Sequence, residues 1–278
     1  MTGSGHAAQH PAVDAAVAVA RRLGLRVDEP VVLRAAWNVL VHLRPSPVVA
    51  RVTSGAAGVD PGDVIRELDV ARHAARRGAR VIEPADLADP GPHEHDGHLL
   101  VLWRYVEHGG PLDAQAAGRG LRALHHSLDD YDGDLPRAGR GHDVATMLDG
   151  IDSADADLLR ELSARALPEG QALHGDAHLF NCMHTAAGPI WHDLETACRG
   201  PREYDLAALV HRERMLGDNP KSIDALEAYG AFDSDILEEA FLAYTAWITA
   251  SWLVALPRRP ELAFGVERQL EYLRTHHR

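Results

Sequence analysis

Asp176, Asn181 and Asp193 carry the chemistry that can be read most directly from this chain. They lie in Leu173-His174-Gly175-Asp176-Ala177-His178-Leu179-Phe180-Asn181 and in Pro189-Ile190-Trp191-His192-Asp193-Leu194-Glu195. A carboxylate is followed five residues later by an amide, and a second carboxylate ends an apolar run. One carboxylate can orient and deprotonate a hydroxyl. The amide and the other carboxylate can hold a hard cation, which prefers oxygen ligands. Positioning, a base and metal-borne charge neutralisation are the parts that phosphoryl transfer requires.

The composition sets bounds on the function. At 278 residues, with 46% apolar and 25% charged residues, the chain is long enough for one large domain or two small lobes with a real core. Its formal charge of −13 argues against a nucleic-acid partner, because such binding depends on neutralising phosphates with Lys and Arg. A cationic small substrate fits that charge better than a polyanion does, although simple solubility is the more ordinary explanation of it. Lysine occurs once, as Lys221. Two cysteines, Cys182 and Cys198, form no disulfide framework, so a reducing compartment is expected, with a cytoplasmic location and no membrane association. The start of the chain lacks a basic segment followed by an apolar run, so no signal peptide is expected. Ala240 to Pro257 is too short and too polar for a membrane span and reads as a buried helix.

Periodicity divides the chain in two. Ala12 to Leu23 reads as a helix stopped by Gly24. Val31–Leu33, Val39–Leu43 and Val48–Val52 read as strands, with hairpin-sized connections at Arg34–Asn38 and Pro45–Pro47. Gly55 to Gly62 reads as a loop. Asp63 to Arg77 has the apolar spacing of a helix, ended by Gly78. Val81-Ile82 is expected to start a fourth strand, His93–Gly97 to form a polar turn and His98–Val106 to form a fifth strand. Beyond Val106-Glu107-His108-Gly109-Gly110-Pro111 the pattern is helical: Leu112–Leu128, Asp143–Ile151, Asp155–Ala166, Leu206–Leu216, Ile223–Gly230, Asp235–Leu256 and Pro260–His277. No internal repeat or low-complexity tract is present.

Three linked motifs carry a family resemblance. They are His174-Gly175-Asp176-x-His178-x-x-Asn181, then Ile190-Trp191-His192-Asp193, then Gly200-Pro201-x-x-Tyr204-Asp205-Leu206-Ala207. In this order and spacing, from about Val31 to Leu209, the chain resembles the aminoglycoside phosphotransferase-like branch of the protein-kinase-like fold. That branch includes choline, homoserine, methylthioribose and fructosamine kinases. The resemblance implies an α+β, two-lobe fold: a small five-stranded antiparallel sheet lobe with one helix, and a larger, mainly helical lobe. The expected division is 1–102 for nucleotide binding, 103–111 as hinge and 112–278 for catalysis and substrate. It also implies ATP or GTP with Mg²⁺, a small-molecule hydroxyl acceptor such as an aminoglycoside or other antibiotic, and a monomer or homodimer.

By the same resemblance Asp176 is the catalytic base, and Asn181 and Asp193 are the metal ligands. Arg51 takes the place of a strand lysine that pairs with phosphates, a role that a permanently charged, bidentate guanidinium can fill, and Glu67 is its helix partner. Asn38 is the polar residue of the glycine-poor loop expected over the phosphates. Trp103 C=O and Tyr105 N–H are expected to meet adenine, with Leu102 behind them. His174 and His178 are read as braces and Asp205 as a helix N-cap. Glu195 could reach the metal region. The acidic residues Asp218, Asp224, Glu227, Glu238 and Glu239 could meet ammonium groups of an acceptor or simply line helix surfaces. The histidines around His93, His95 and His98 lack the supporting ligands of a zinc site. Competing readings are a choline- or homoserine-type metabolite kinase and a nucleotide-binding module without turnover. A metallophosphoesterase would need, beside an upstream Asp-x-His, a downstream Gly-Asn-His-Glu, and the latter is absent from the sequence.

Overall fold

The computed structural model describes residues 11–35, 38–54 and 61–277. Of the expected loops, most of Gly55–Gly62 and the residues between Ala35 and Asn38 lie outside these. The described backbone forms two compact units, one running up to Arg72 and resuming at Ile82–His108, the other comprising His73–Val81 and the chain from Gly109 onward.

The first unit is built on a five-stranded antiparallel sheet of β1 (Val27–Ala35), β2 (Asn38–Pro45), β3 (Val48–Ser54), β4 (His93–His95) and β5 (His98–Arg104), ordered β1-β2-β3-β5-β4. Side chains alternate across a sheet, so each strand serves two faces. Val41, Leu43, Ala50, Val52, Leu100 and Leu102 pack with Ala12, Ala15, Ala16, Val19 and Ala20 of α1 (Pro11–Arg22). On the other face Leu99, Val101 and Trp103 pack with Val64 and Leu68 of α2 (Pro61–Arg76). The fourth strand differs from expectation. Val81 makes only an isolated bridge to Trp191, and the histidine-rich turn itself supplies β4. Asp96 (φ 46°) and Gly97 (φ 74°) close a two-residue hairpin that pairs His95 with His98, the connection that Asp-Gly favours.

The second unit is mainly helical: α3 (Ala114–Ser127), α4 (Gly141–Met147), α5 (Ala154–Ser163), α6 (Glu203–Leu216), α7 (Lys221–Tyr229), α8 (Ser234–Ala255) and α9 (Ala263–His276). α8 is its central helix, packed by α4, α5, α6 and α9. No helix among the described residues is long and apolar enough to cross a membrane. Between α5 and α6 run β6 (Gln171–Leu173), β7 (Cys182–Thr185), β8 (Gly188–Trp191) and β9 (Cys198–Gly200). β6 pairs with β9 and β7 with β8.

Candidate active site

Hairpin register brings Asn181 and Asp193 together. Cys182 pairs with Trp191 at the base of the β7–β8 hairpin, and the His192 N–H donates to the Asn181 carbonyl at 3.0 Å. Twelve residues of sequence thus close into neighbouring positions. Asp193 follows in the left-handed region, at φ 70° and ψ 55°. Asn181 ends a single 3-10 turn, Leu179–Asn181, and its Nδ2 donates to the Asp176 carbonyl at 3.0 Å and lies 3.4 Å from the Asp176 carboxylate.

The loop carrying Asp176 is tied down from α6. Asp205, fully buried, accepts from the backbone N–H of His174 at 2.8 Å and of Gly175 at 2.7 Å. His125 Nε2 on α3 lies 2.8 Å from the same carboxylate, and its Nδ1 lies 2.8 Å from the Tyr229 hydroxyl on α7. With the ring donating to the carboxylate, Nδ1 accepts from Tyr229, which fixes the tautomer. The expected N-cap role of Asp205 is therefore corrected. It is the third residue of α6, turned inward because two loop N–H groups need an acceptor that helix and strand do not supply. Gly175 has φ +87°, and a Cβ there would overlap the Thr196 carbonyl oxygen. His174 is buried and Nε2 donates to the His192 carbonyl at 2.9 Å, the brace expected of it.

The Asp176 carboxylate has two unlike oxygens. Oδ1 accepts from the Tyr244 hydroxyl at 2.5 Å, whereas Oδ2 has His178 Nε2 and Asn181 Nδ2, each at 3.4 Å. Burial would raise its pKa. The charge of the nearby His178, the Tyr244 hydroxyl and His174 outweigh that and hold it well below the usual carboxylate range. His178 is raised: burial opposes its charge, but Asp176, and beyond it Asp193, favour the protonated ring. Burial pushes the Tyr244 phenol far up, so it remains a donor. His211, buried against the rings of Tyr244 and Phe241, is pushed down to about 3, chiefly by desolvation. Tyr244 and His211 carry no motif. They are polar residues in helices that read as core. Both thiols are buried and their pKa values pushed up, Cys182 to about 12, which leaves them poor nucleophiles.

In the sheet unit, Arg51 and Glu67 meet. They are 8% and 1% exposed, and both guanidinium NH groups face the carboxylate, NH1 to Oε1 at 3.0 Å and NH2 to Oε2. Strand phase explains the meeting: Arg51 opposes Val101 on the face that α2 covers. Asn38 shares that face, opposite Thr53, whose hydroxyl donates to Asn38 Oδ1 at 2.8 Å. Trp103 is there too, its ring 5.9 Å from the Arg51 guanidinium.

The expected adenine contacts need correction. Leu102 is fully buried on the opposite face, in the α1 core. Backbone groups alternate along a strand. Leu102 uses its C=O and N–H on Ala85 and Pro90, so those of Trp103 and Tyr105 turn toward β3. The Tyr105 N–H donates to Pro47 C=O at 2.9 Å, and Trp103 lies opposite Val49 in the ladder. Neither group is open to a base in this geometry. The Tyr105 ring instead stacks on His42, with centroids 3.8 Å apart. Glu195 is exposed, and Asp218 and Glu238 face Arg212 and Arg214. Among the described residues no cluster of three or more His, Cys, Asp or Glu is arranged to hold a metal ion.

The profile of the phosphotransferase enzyme family (APH) matches residues 34–247, well over half the chain. The chain belongs to the phosphotransferase enzyme family. As a family member it is a small-molecule phosphotransferase with a kinase-like fold. No curated protein sequence matches it. Among solved structures, this phosphotransferase is similar to the amicoumacin kinase hAmiN in complex with AMP-PNP, Ca²⁺ and Ami, with a TM-score of 0.69 and 13% identity over 94% of this chain and 93% of that one. It is similar to the choline kinase LicA of Streptococcus pneumoniae, with a TM-score of 0.66 and 12% identity over 93% and 98%. It is also similar to the GDP and kanamycin complex of APH(2")-IIia, with a TM-score of 0.61 and 13% identity over 92% and 96%. At such identities these likenesses establish the phosphotransferase's fold.

Proposed function

We propose that this phosphotransferase moves the γ-phosphoryl group of ATP or GTP to a hydroxyl of a small molecule, with Asp176 as the base. The observation that carries the reading is the Asp176 carboxylate, held ionised in a loop anchored at both backbone and side chain. Such a group aligns an acceptor O–H. It takes the proton as the oxygen–phosphorus bond forms and the bond to the leaving phosphate breaks. Its low basicity suits a loose transition state, in which orientation counts for more than early proton removal.

Asn181 and Asp193 fit a magnesium ion by their donor chemistry. With Nδ2 of Asn181 committed to Asp176, its Oδ1 is the atom that would take the metal, beside one carboxylate, and Mg²⁺ is commonly held by few protein oxygens. The ion would supply charge neutralisation on the nucleotide phosphates. Arg51, oriented by Glu67, would bring a permanently charged guanidinium to the nucleotide phosphates.

We infer an aminoglycoside or another hydroxylated antibiotic as acceptor, a cationic class that the formal charge of −13 accommodates. A coupled assay with MgATP or MgGTP and a panel of aminoglycosides, other antibiotics and amino alcohols tests this. Turnover with at least one acceptor is expected, and Asp176→Asn should lower it about 10²–10⁴-fold. Native turnover in Asp176→Asn overturns the role of Asp176. Activity confined to amino alcohols overturns the antibiotic assignment.

A further inference from the structure

The hydroxyl of Tyr244 makes the shortest contact to the proposed base. Tyr244 lies on α8, 68 residues from Asp176, and is 1% exposed. Its ring is wedged edge-on against Tyr204 and His211, with centroids 5.7 and 5.2 Å away, and tilted against Trp247 at 5.6 Å. With two side-chain torsions and three neighbouring rings, the phenol is held in place. At 2.5 Å its hydrogen bond to Oδ1 is of the short, charge-assisted kind. The 3.4 Å contacts at Oδ2 exceed ordinary hydrogen-bond lengths.

We propose that Tyr244 is a positioning residue for phosphoryl transfer: its hydroxyl clamps Asp176 Oδ1 and so presents Oδ2 to the acceptor hydroxyl. This rests on the reading of Asp176 as the base. Rotation about the Cβ–Cγ bond of an aspartate exchanges its oxygens, and a single strong donor on one of them stops that exchange. The acceptor O–H then meets one oxygen in one orientation, which is the gain that pre-positioning brings to a transfer step. The phenol keeps its proton throughout, and the acceptor proton goes to Oδ2.

The test combines a spectrum with kinetics. In proton NMR of the ligand-free native protein, a low-field hydroxyl line is expected. It should vanish in Tyr244→Phe and move upfield in Asp176→Asn, where an amide oxygen replaces the carboxylate. With MgATP and water as acceptor, Tyr244→Phe should lower kcat by about tenfold to a hundredfold, the worth of one hydrogen bond to a charged group, and leave the KM for MgATP within about twofold. A native protein without the line, or a folded Tyr244→Phe as fast as or faster than native, overturns the proposal. In the latter case the phenol would merely fill the acceptor's place. Native turnover in Asp176→Asn removes the reading beneath it, whereas an inactive Asp176→Asn beside an unimpaired Tyr244→Phe removes only Tyr244. If Tyr244→Phe fails to fold, the comparison of native protein with Asp176→Asn decides.

Discussion

Arg51 and Glu67 form a buried ion pair whose two members depend on one another. Removing one leaves the other charged and desolvated, which costs about 3–5 kcal/mol in such pairs. Arg51→Met should therefore lose about that much stability in urea unfolding, whereas Arg51→Lys, which keeps the charge but not the fork, should lose less. Both should raise the KM for nucleotide. The pair was legible through the family resemblance, which implies a basic strand residue facing a glutamate on the following helix. So were Asp176, Asn181 and Asp193, which the structure brings within one loop and one hairpin base. Tyr244 was not legible, because nothing local distinguishes a phenol facing a carboxylate from one filling a core. Asp205 stands near a helix start, yet its partners are two N–H groups about thirty residues upstream. The backbone partners of Trp103 and Tyr105 are not legible for a different reason. Which way a strand's carbonyls point is decided by its neighbours, and composition carries no record of that phase.

At the scale of elements, α3 and α7 cross at Gly118, where a Cβ would overlap the Ala225 backbone carbonyl. Backbone cannot yield as a flexible side chain does. Gly118→Ala should separate the two helices and cost about 1–3 kcal/mol, the usual scale of overpacking, read as a lowered thermal midpoint by circular dichroism. Because His125 and Tyr229 lie on these helices and reach Asp205, the same substitution should also lower kcat more than the stability loss explains. Most helices were legible to within three or four residues at their ends, since long apolar periodicity survives any packing. The fourth strand was not: Val81-Ile82 has the composition of a strand, but β4 is polar and is specified by its Asp-Gly turn.

For the whole molecule, acid is the informative stress. His211 titrates near 3 when folded and near 6.5 when unfolded, so the unfolded chain binds the extra proton between those values. Its contribution to stability is present above about 6.5 and is lost as pH falls toward 3, at about 1.4 kcal/mol per unit. Asp176, Arg212 and His178 face this ring and already enter its shift. Urea unfolding at pH 6.5 and pH 5 should show the native protein losing about 2 kcal/mol more than His211→Leu does. Equal losses would mean that the ring is solvated or charged when folded.

The left-handed backbone at Asp193 narrows what drift can do to this protein. Few side chains tolerate that conformation, chiefly glycine, asparagine and aspartate. Glycine would abolish the proposed ligand, while asparagine would keep both the turn and an oxygen but surrender the charge. A lineage relaxing its need for catalysis has an easy exit here. On the proposed metal role, one exchange of carboxylate for amide would keep the architecture and weaken the hold on the ion.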